Sequence, residues 1–85
     1  MIKSQAIPEV DTLTRIRDLR EDHDYTQEYL AKLLHIGQRT YSGYECGKRR
    51  IPLDILIDLA RVYNVDMNYI CGLTNVKRPF PHKKQ

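Results

Sequence analysis

The residues best equipped for chemistry are crowded into one short stretch. From Gln38 to Arg50 the chain reads Gln-Arg-Thr-Tyr-Ser-Gly-Tyr-Glu-Cys-Gly-Lys-Arg-Arg, with the cations Arg39, Lys48, Arg49 and Arg50 against the single carboxylate of Glu45. Amides, hydroxyls and guanidinium groups at that density suit hydrogen bonding to a polyanion. They do not suit catalysis, which needs a nucleophile beside a base, paired carboxylates in a pocket, or a metal cluster. Ser42 has no histidine near it in the stretch, and Asp18, Glu21, Asp22 and Asp24 fall on polar helix faces or in a turn. No glycine-rich phosphate loop is present. His23, His35 and His82 are far apart, while Cys46 and Cys71 lack metal-type spacing and are too few for a disulfide scaffold. These features predict a protein that is not an enzyme and uses no metal or other cofactor.

Charge along the chain points the same way. Residues 1–37 and 51–73 each sum to −2, residues 38–50 to +3 and residues 74–85 to +4, for a net +3 over 85 residues. A positive island between acidic segments, followed by a basic tail, fits a polyanionic partner better than an acidic substrate. No apolar run approaches the roughly 18 residues of a membrane span. Met1-Ile2-Lys3-Ser4-Gln5 has none of the apolar character of a secretory leader. The expectation is a cytoplasmic protein with no membrane association.

The elements that must position the basic stretch are helices. Residues 1–10, containing Pro8, show no period and read as an N-terminal arm. From Asp11, with Asp11 or Thr12 as cap, Leu13, Ile16 and Leu19 recur at helical spacing and give one inward face. This helix ends at the polar turn Asp22-His23-Asp24. Thr26 can cap a second helix with Glu28 in its first turn, where the dipole favours a carboxylate. Its apolar residues are Tyr29, Leu30, Leu33 and Leu34, with small Ala31 among them. His35-Ile36-Gly37 interrupts it, a third helix runs from Gln38 to about Cys46, and Gly47 stops that helix where a left-handed residue costs least. Lys48-Arg49-Arg50 forms an exposed loop. Pro52 opens a fourth helix with Leu53, Leu56, Ile57, Ala60 and Tyr63 inward. Asn64-Val65 makes a turn, Asp66 caps a fifth helix from Met67 to Cys71, and residues 74–85 read as a basic flexible tail. The fold class predicted is all-α, a compact five-helix bundle over residues 11–73.

Residues 27–46 then acquire a specific geometry. Two short helices joined by a tight turn can cross only if the contact position is small, as Ala31 is. Leu30, Leu34, Ile36, Tyr41 and Tyr44 must close on one core. The opposite side of the third helix, with Gln38, Arg39, Thr40, Ser42 and Gly43, then projects from the domain and is available to a DNA major groove. Gln38 can pair with adenine N6/N7 and Arg39 with guanine O6/N7, each good bidentate pair discriminating by about 1–3 kcal/mol. Thr40 suits a phosphate or a thymine methyl, and Ser42 and Gly43 share the base-facing side. Lys48, Arg49 and Arg50 stand where they can meet phosphates, adding salt-sensitive affinity without sequence preference. The competing interpretation of all these residues is an ordinary solvated surface.

The segments Tyr25-Thr-Gln-Glu-Tyr-Leu-Ala-Lys-Leu-Leu34 and Tyr44-Glu-Cys-Gly-Lys-Arg-Arg-Ile-Pro52 resemble the Cro/phage-repressor, or XRE, helix-turn-helix family. The resemblance runs from about Thr12 to Leu73 and includes the Glu-x-Gly-x-x-x-x-Pro exit and Asn64-Val65. It implies a lambda-repressor-like bundle and a sequence-specific double-stranded DNA-binding regulator of transcription, a repressor. Such a protein would bind a palindromic site as a homodimer, with recognition helices about 34 Å apart. The resemblance also gives Gln27 a DNA phosphate to hold at the start of the second helix. It makes Arg20 and Glu45 a structural ion pair, whose breaking costs on the order of 3–5 kcal/mol. Residues around Met67, Tyr69 and Ile70 become candidates for an exposed dimer surface. Two positions depart from the family pattern. Gly43 stands where members carry a base-reading side chain; it either permits closer approach to DNA or is simply tolerated. His35 stands where glycine is usual and positive φ is expected, a conformation histidine tolerates better than most residues. The alternative is an antitoxin or adaptor of the same fold that binds a protein partner. RNA binding fits less well, because the aromatic residues face inward rather than forming a stacking platform.

Overall fold

A computed structural model describes residues 10–81. Of the expected arm, residues 1–9 lie outside the described residues, and so do residues 82–85 of the tail. The chain folds as α1 (Val10–Asp22), α2 (Gln27–Leu34), α3 (Gln38–Cys46), α4 (Leu53–Tyr63) and α5 (Met67–Ile70), with no strand among the described residues. None of these helices is long and apolar enough to cross a membrane. The all-helical, five-helix class predicted from sequence is the one observed. Because α1 begins at Val10, Asp11 and Thr12 lie within its first turn rather than ahead of it as caps.

Local chemistry sets most boundaries. The Thr26 hydroxyl accepts the Tyr29 N–H at 2.9 Å and Asp66 does the same for Tyr69, so both expected caps are made. α2 ends with His35 at φ 59°, where the Ile36 N–H reaches the Ala31 carbonyl and the His35 N–H that of Lys32. α4 ends in the same way on Asn64 at φ 54°, with Val65 and Asn64 bonding Ala60 and Arg61. Both are left-handed stops that satisfy the last carbonyls of a helix, made without glycine. Gly47, at φ 83°, ends α3 as expected.

All five helices supply the core. Ile16 and Leu19, Leu30, Ala31 and Leu34, Tyr41 and Tyr44, Ile55, Leu59, Ala60 and Tyr63, Val65 and Ile70 are buried. α2 packs chiefly on α3, α1 on α3 and α5, and α4 on α5 and α2. Ala31, 3% exposed, fills the close approach that required a small residue. The phase of α4 differs from expectation: Leu53 is 68% exposed, Leu56 and Ile57 are half-buried, and Ile55 and Leu59 take the inward positions. On α2, Tyr29 and Leu33 stand largely in solvent. Ile70 is fully buried and Met67 and Tyr69 half-buried, so the expected exposed patch around them does not form as such.

Residues 74–81 have no regular structure, yet they do not stand free. The Arg15 guanidinium donates to the carbonyls of Tyr69 and Thr74 and to Asn75 Oδ1, and stacks 3.9 Å over the Tyr69 ring. The Asp66 N–H donates to the Arg78 carbonyl at 2.8 Å, and the Phe80 N–H to Asn64 Oδ1. This stretch lies as a strap along α1, α4 and α5, which leaves α3 uncovered by it.

Candidate nucleic-acid interface

The site is built around one carboxylate that faces away from it. Glu45 sits one turn after Tyr41, so both side chains leave the same side of α3. Arg20 of α1 meets Glu45 in a fork, Nε to Oε2 at 2.7 Å and Nη2 to Oε1 at 3.0 Å, and its Nη1 donates to the Tyr25 carbonyl. The Tyr41 hydroxyl donates to Oε2 and Gln27 Nε2 to Oε1. Planar, two-bond geometry of this kind is the strong form of ion pairing. Burial works against ionisation of Glu45, but the hydrogen bonds from Arg20, Tyr41 and Gln27 outweigh it and hold its carboxyl below the usual range. The bond to Glu45 likewise raises Arg20 above its ordinary value, and burial together with the same carboxylate pushes the Tyr41 hydroxyl up. Three helices are thereby tied at one point: α1 through Arg20, α2 through Gln27 and α3 through Glu45.

With Tyr41, Tyr44 and Glu45 turned inward, the other side of α3 turns out. Gln38 and Arg39 are exposed, and Thr40 and Ser42 are half-buried. Gln27 joins Gln38, Arg39 and Ser42 in lining one shallow cleft between the start of α2 and the start of α3. A second cleft at the far end of α3 is lined by Arg39, Ser42, Gly43, Cys46, Lys48 and Arg49. Lys48, Arg49 and Arg50 are all exposed, and among the described residues none of them pairs with a carboxylate. The arrangement presents amide, hydroxyl and guanidinium donors on one convex helix, flanked by uncompensated positive charge.

Two sequence-based expectations need correction here. Gly43 is buried rather than exposed on the projecting face, because the Arg49 side chain lies across it. Gln27, whose side-chain donors the start of α2 was expected to leave free for a phosphate, commits one amide N–H to Glu45. The Gln27 contact had no local sign in the sequence, since Gln27 and Glu45 are 18 residues apart. The one available hint for Gly43 was a glycine in mid-helix, which costs about 0.5–1 kcal/mol against alanine and so asks for a spatial reason.

Comparison with known proteins places this geometry. A family model described as helix-turn-helix matches residues 16–70. The chain is 43% identical over 70 residues to the uncharacterized HTH-type transcriptional regulator YobD of Bacillus subtilis, covering 82% of this chain and 62% of that protein. It is 34% identical over 64 residues to the HTH-type transcriptional regulator ImmR of the same organism, 75% of this chain and 50% of that one. Over 52 residues it is 38% identical to the cryptic phage CTXphi transcriptional repressor RstR of Vibrio cholerae, 61% of this chain and 47% of the relative. The chain therefore spans about half to three fifths of the length of these relatives. No solved structure matches it.

Proposed function

The chain belongs to the helix-turn-helix family, and from that premise we propose that it is a sequence-specific double-stranded DNA-binding regulator of transcription, acting as a repressor. The observation that carries the proposal is the division of α3 into a buried side, Tyr41, Tyr44 and Glu45, and a side on which Gln38 and Arg39 stand in solvent. A helix held from behind in this way can enter a major groove without unfolding any part of the core.

In this proposal Gln38 and Arg39 read base edges, with Ser42 one turn after Gln38 on the same side. Thr40 and Gln27 hold phosphates on either side of the groove, Gln27 through the part of its amide that Glu45 does not use. Lys48 and Arg50 meet the backbone beyond the end of α3. Repression needs only occupancy of a promoter, so neither cofactor nor chemistry enters. One recognition helix spans four or five base pairs, and a homodimer on a two-fold symmetric site doubles that number.

The test is selection of bound sequences from random duplex DNA at two salt concentrations. A two-fold symmetric site should emerge. Arg39→Ala should relax preference at one base pair of each half-site, and Lys48→Ala should weaken all sequences alike and lower the salt slope by about one. Failure to enrich any sequence, with tight capture of a protein instead, would replace the regulator by an adaptor of the same fold.

A further inference from the structure

Gly43 has ordinary helical backbone, since positive φ among the described glycines is confined to Gly47 and Gly72. No backbone conformation therefore requires glycine at this position. What occupies the space of a side chain there is Arg49. A Cβ on Gly43 would stand 2.9 Å from Arg49 Cδ, 3.0 Å from Cγ and 3.3 Å from Nε. The main chain fixes this crossing, because the Arg49 N–H donates to the Gly43 carbonyl at 3.1 Å and so sets where the side chain leaves the loop. The alkyl stem buries Gly43 while Arg49 itself remains exposed. Its head lies in a cleft shared with Arg39 and Ser42 of α3, a cleft that Arg50 does not line.

We propose that Arg49 is a base-reading residue, supplying across the gap at Gly43 the side chain that α3 itself lacks there. This rests on the DNA-binding role proposed above, and it moves Arg49 from the phosphate contacts to the base contacts. The chemistry suits the position. The planar guanidinium fork of arginine matches guanine O6 and N7, and a lysine ammonium cannot reproduce that two-point match. The absent side chain at residue 43 thus has a use: a methyl there would displace the stem that carries the fork. Because the displaced atoms belong to a flexible side chain and not to the backbone, the helix itself would survive the change.

The experiment is the same selection from random duplexes, run on the full chain and on Arg49→Ala, Arg49→Lys, Gly43→Ala and the Gly43→Ala/Arg49→Ala double variant, with thermal unfolding of each. Arg49→Ala should lose roughly tenfold in preference at one base pair of each half-site and keep the rest. Arg49→Lys should keep the salt slope without restoring that preference. Gly43→Ala should lose the same preference while unfolding at or above the wild-type temperature, alanine being the better helix former. The double variant should lose no more preference than either single change. If Arg49→Ala instead weakens all sequences alike and the selected half-site survives intact, Arg49 is a phosphate contact and the proposal falls alone. If the wild-type chain selects no sequence, the regulator reading falls and takes this one with it.

Discussion

Replacing Glu45 with alanine removes the acceptor for four hydrogen bonds at once, two from Arg20 and one each from Gln27 and Tyr41. Arg20 would keep only its bond to the Tyr25 carbonyl, and the hydroxyl of Tyr41, a fully buried residue, would lose its partner. Taking one member from a buried pair costs about 3–5 kcal/mol, mostly through the charge left behind. The side chains here are 15% and 6% exposed, so water reaches Arg20 in part and the lower end, about 3 kcal/mol, is the expected loss. For a chain of 85 residues at roughly 0.05–0.15 kcal/mol per residue, total stability is about 4–13 kcal/mol, and the loss is a large share of it. At roughly 4–8 °C per kcal/mol the midpoint of thermal unfolding should drop by about 12–24 °C. Urea unfolding followed by far-ultraviolet circular dichroism gives the difference directly, and an unchanged m value confirms that the folded and unfolded states are the same ones. Glu45→Gln, which keeps the shape and one acceptor oxygen, should lose less. A loss below about 1 kcal/mol for Glu45→Ala, with m unchanged, would put the pair in the class of surface ion pairs and refute the reasoning.

Other consequences can be checked separately. The carboxyl of Glu45 is held below its unfolded value of about 4.3, so the unfolded state binds more protons in that window; its contribution is complete above that value and is lost as pH falls through the folded one. Urea midpoints should therefore fall more steeply below about pH 4.5 for the wild type than for Glu45→Gln, and parallel curves would contradict this. His35, at φ 59°, should tolerate glycine with a stability change within about 1 kcal/mol, whereas His35→Val should cost roughly 1–2 kcal/mol in thermal unfolding, because a branched Cβ is strained there. Arg15→Ala removes the clamp on the strap and should speed tryptic cleavage after Lys77, the bond after Arg78 being protected by Pro79; unchanged cleavage would mean that the strap is held without it.

Features decided by a few neighbouring residues were legible in the sequence. Thr26 and Asp66 are caps because a short side-chain oxygen in that position meets the N–H three residues on, whatever the rest of the fold does. His35 and Gly47 end helices for reasons equally local. The ion pair of Arg20 and Glu45 came from family resemblance, since 25 residues separate its members. The polar residues of α4, Asp54, Asp58 and Arg61, share one side, so its inward side is open to periodicity; the expectation of Leu53 and Ile57 inward mistakes the phase of an otherwise apolar helix. Packing on α5 and α2 buries Ile55 and Leu59 and leaves Leu53 outside. What stayed hidden depends on packing between distant segments. The strap reads as a flexible tail in the sequence because its attachment is to Arg15, 59 residues away from Thr74.

Under the proposed role, the division of α3 makes stability and reading separable in one nine-residue helix. Tyr41 and Tyr44 occupy one side and Arg39 and Ser42 the opposite one, with Gln38 and Glu45 along the border between them. Changes on the outer side remove only the contacts proposed to DNA and none in the core, so Arg39→Ala should alter base preference at constant unfolding temperature. Changes on the inner side should alter the folded population and leave base preference intact wherever the chain is folded. Gln27 is the exception, because its amide bonds Glu45 on one side and lines the α3 cleft on the other. Loss of Glu45 frees that amide to rotate, so phosphate affinity should fall beyond what unfolding accounts for, while the order of preferred bases stays the same. In the role proposed for it, α3 must be held to a fraction of a base-pair step, and the bonds of Arg20 and Gln27 to Glu45 tie it to α1 and α2 for that purpose.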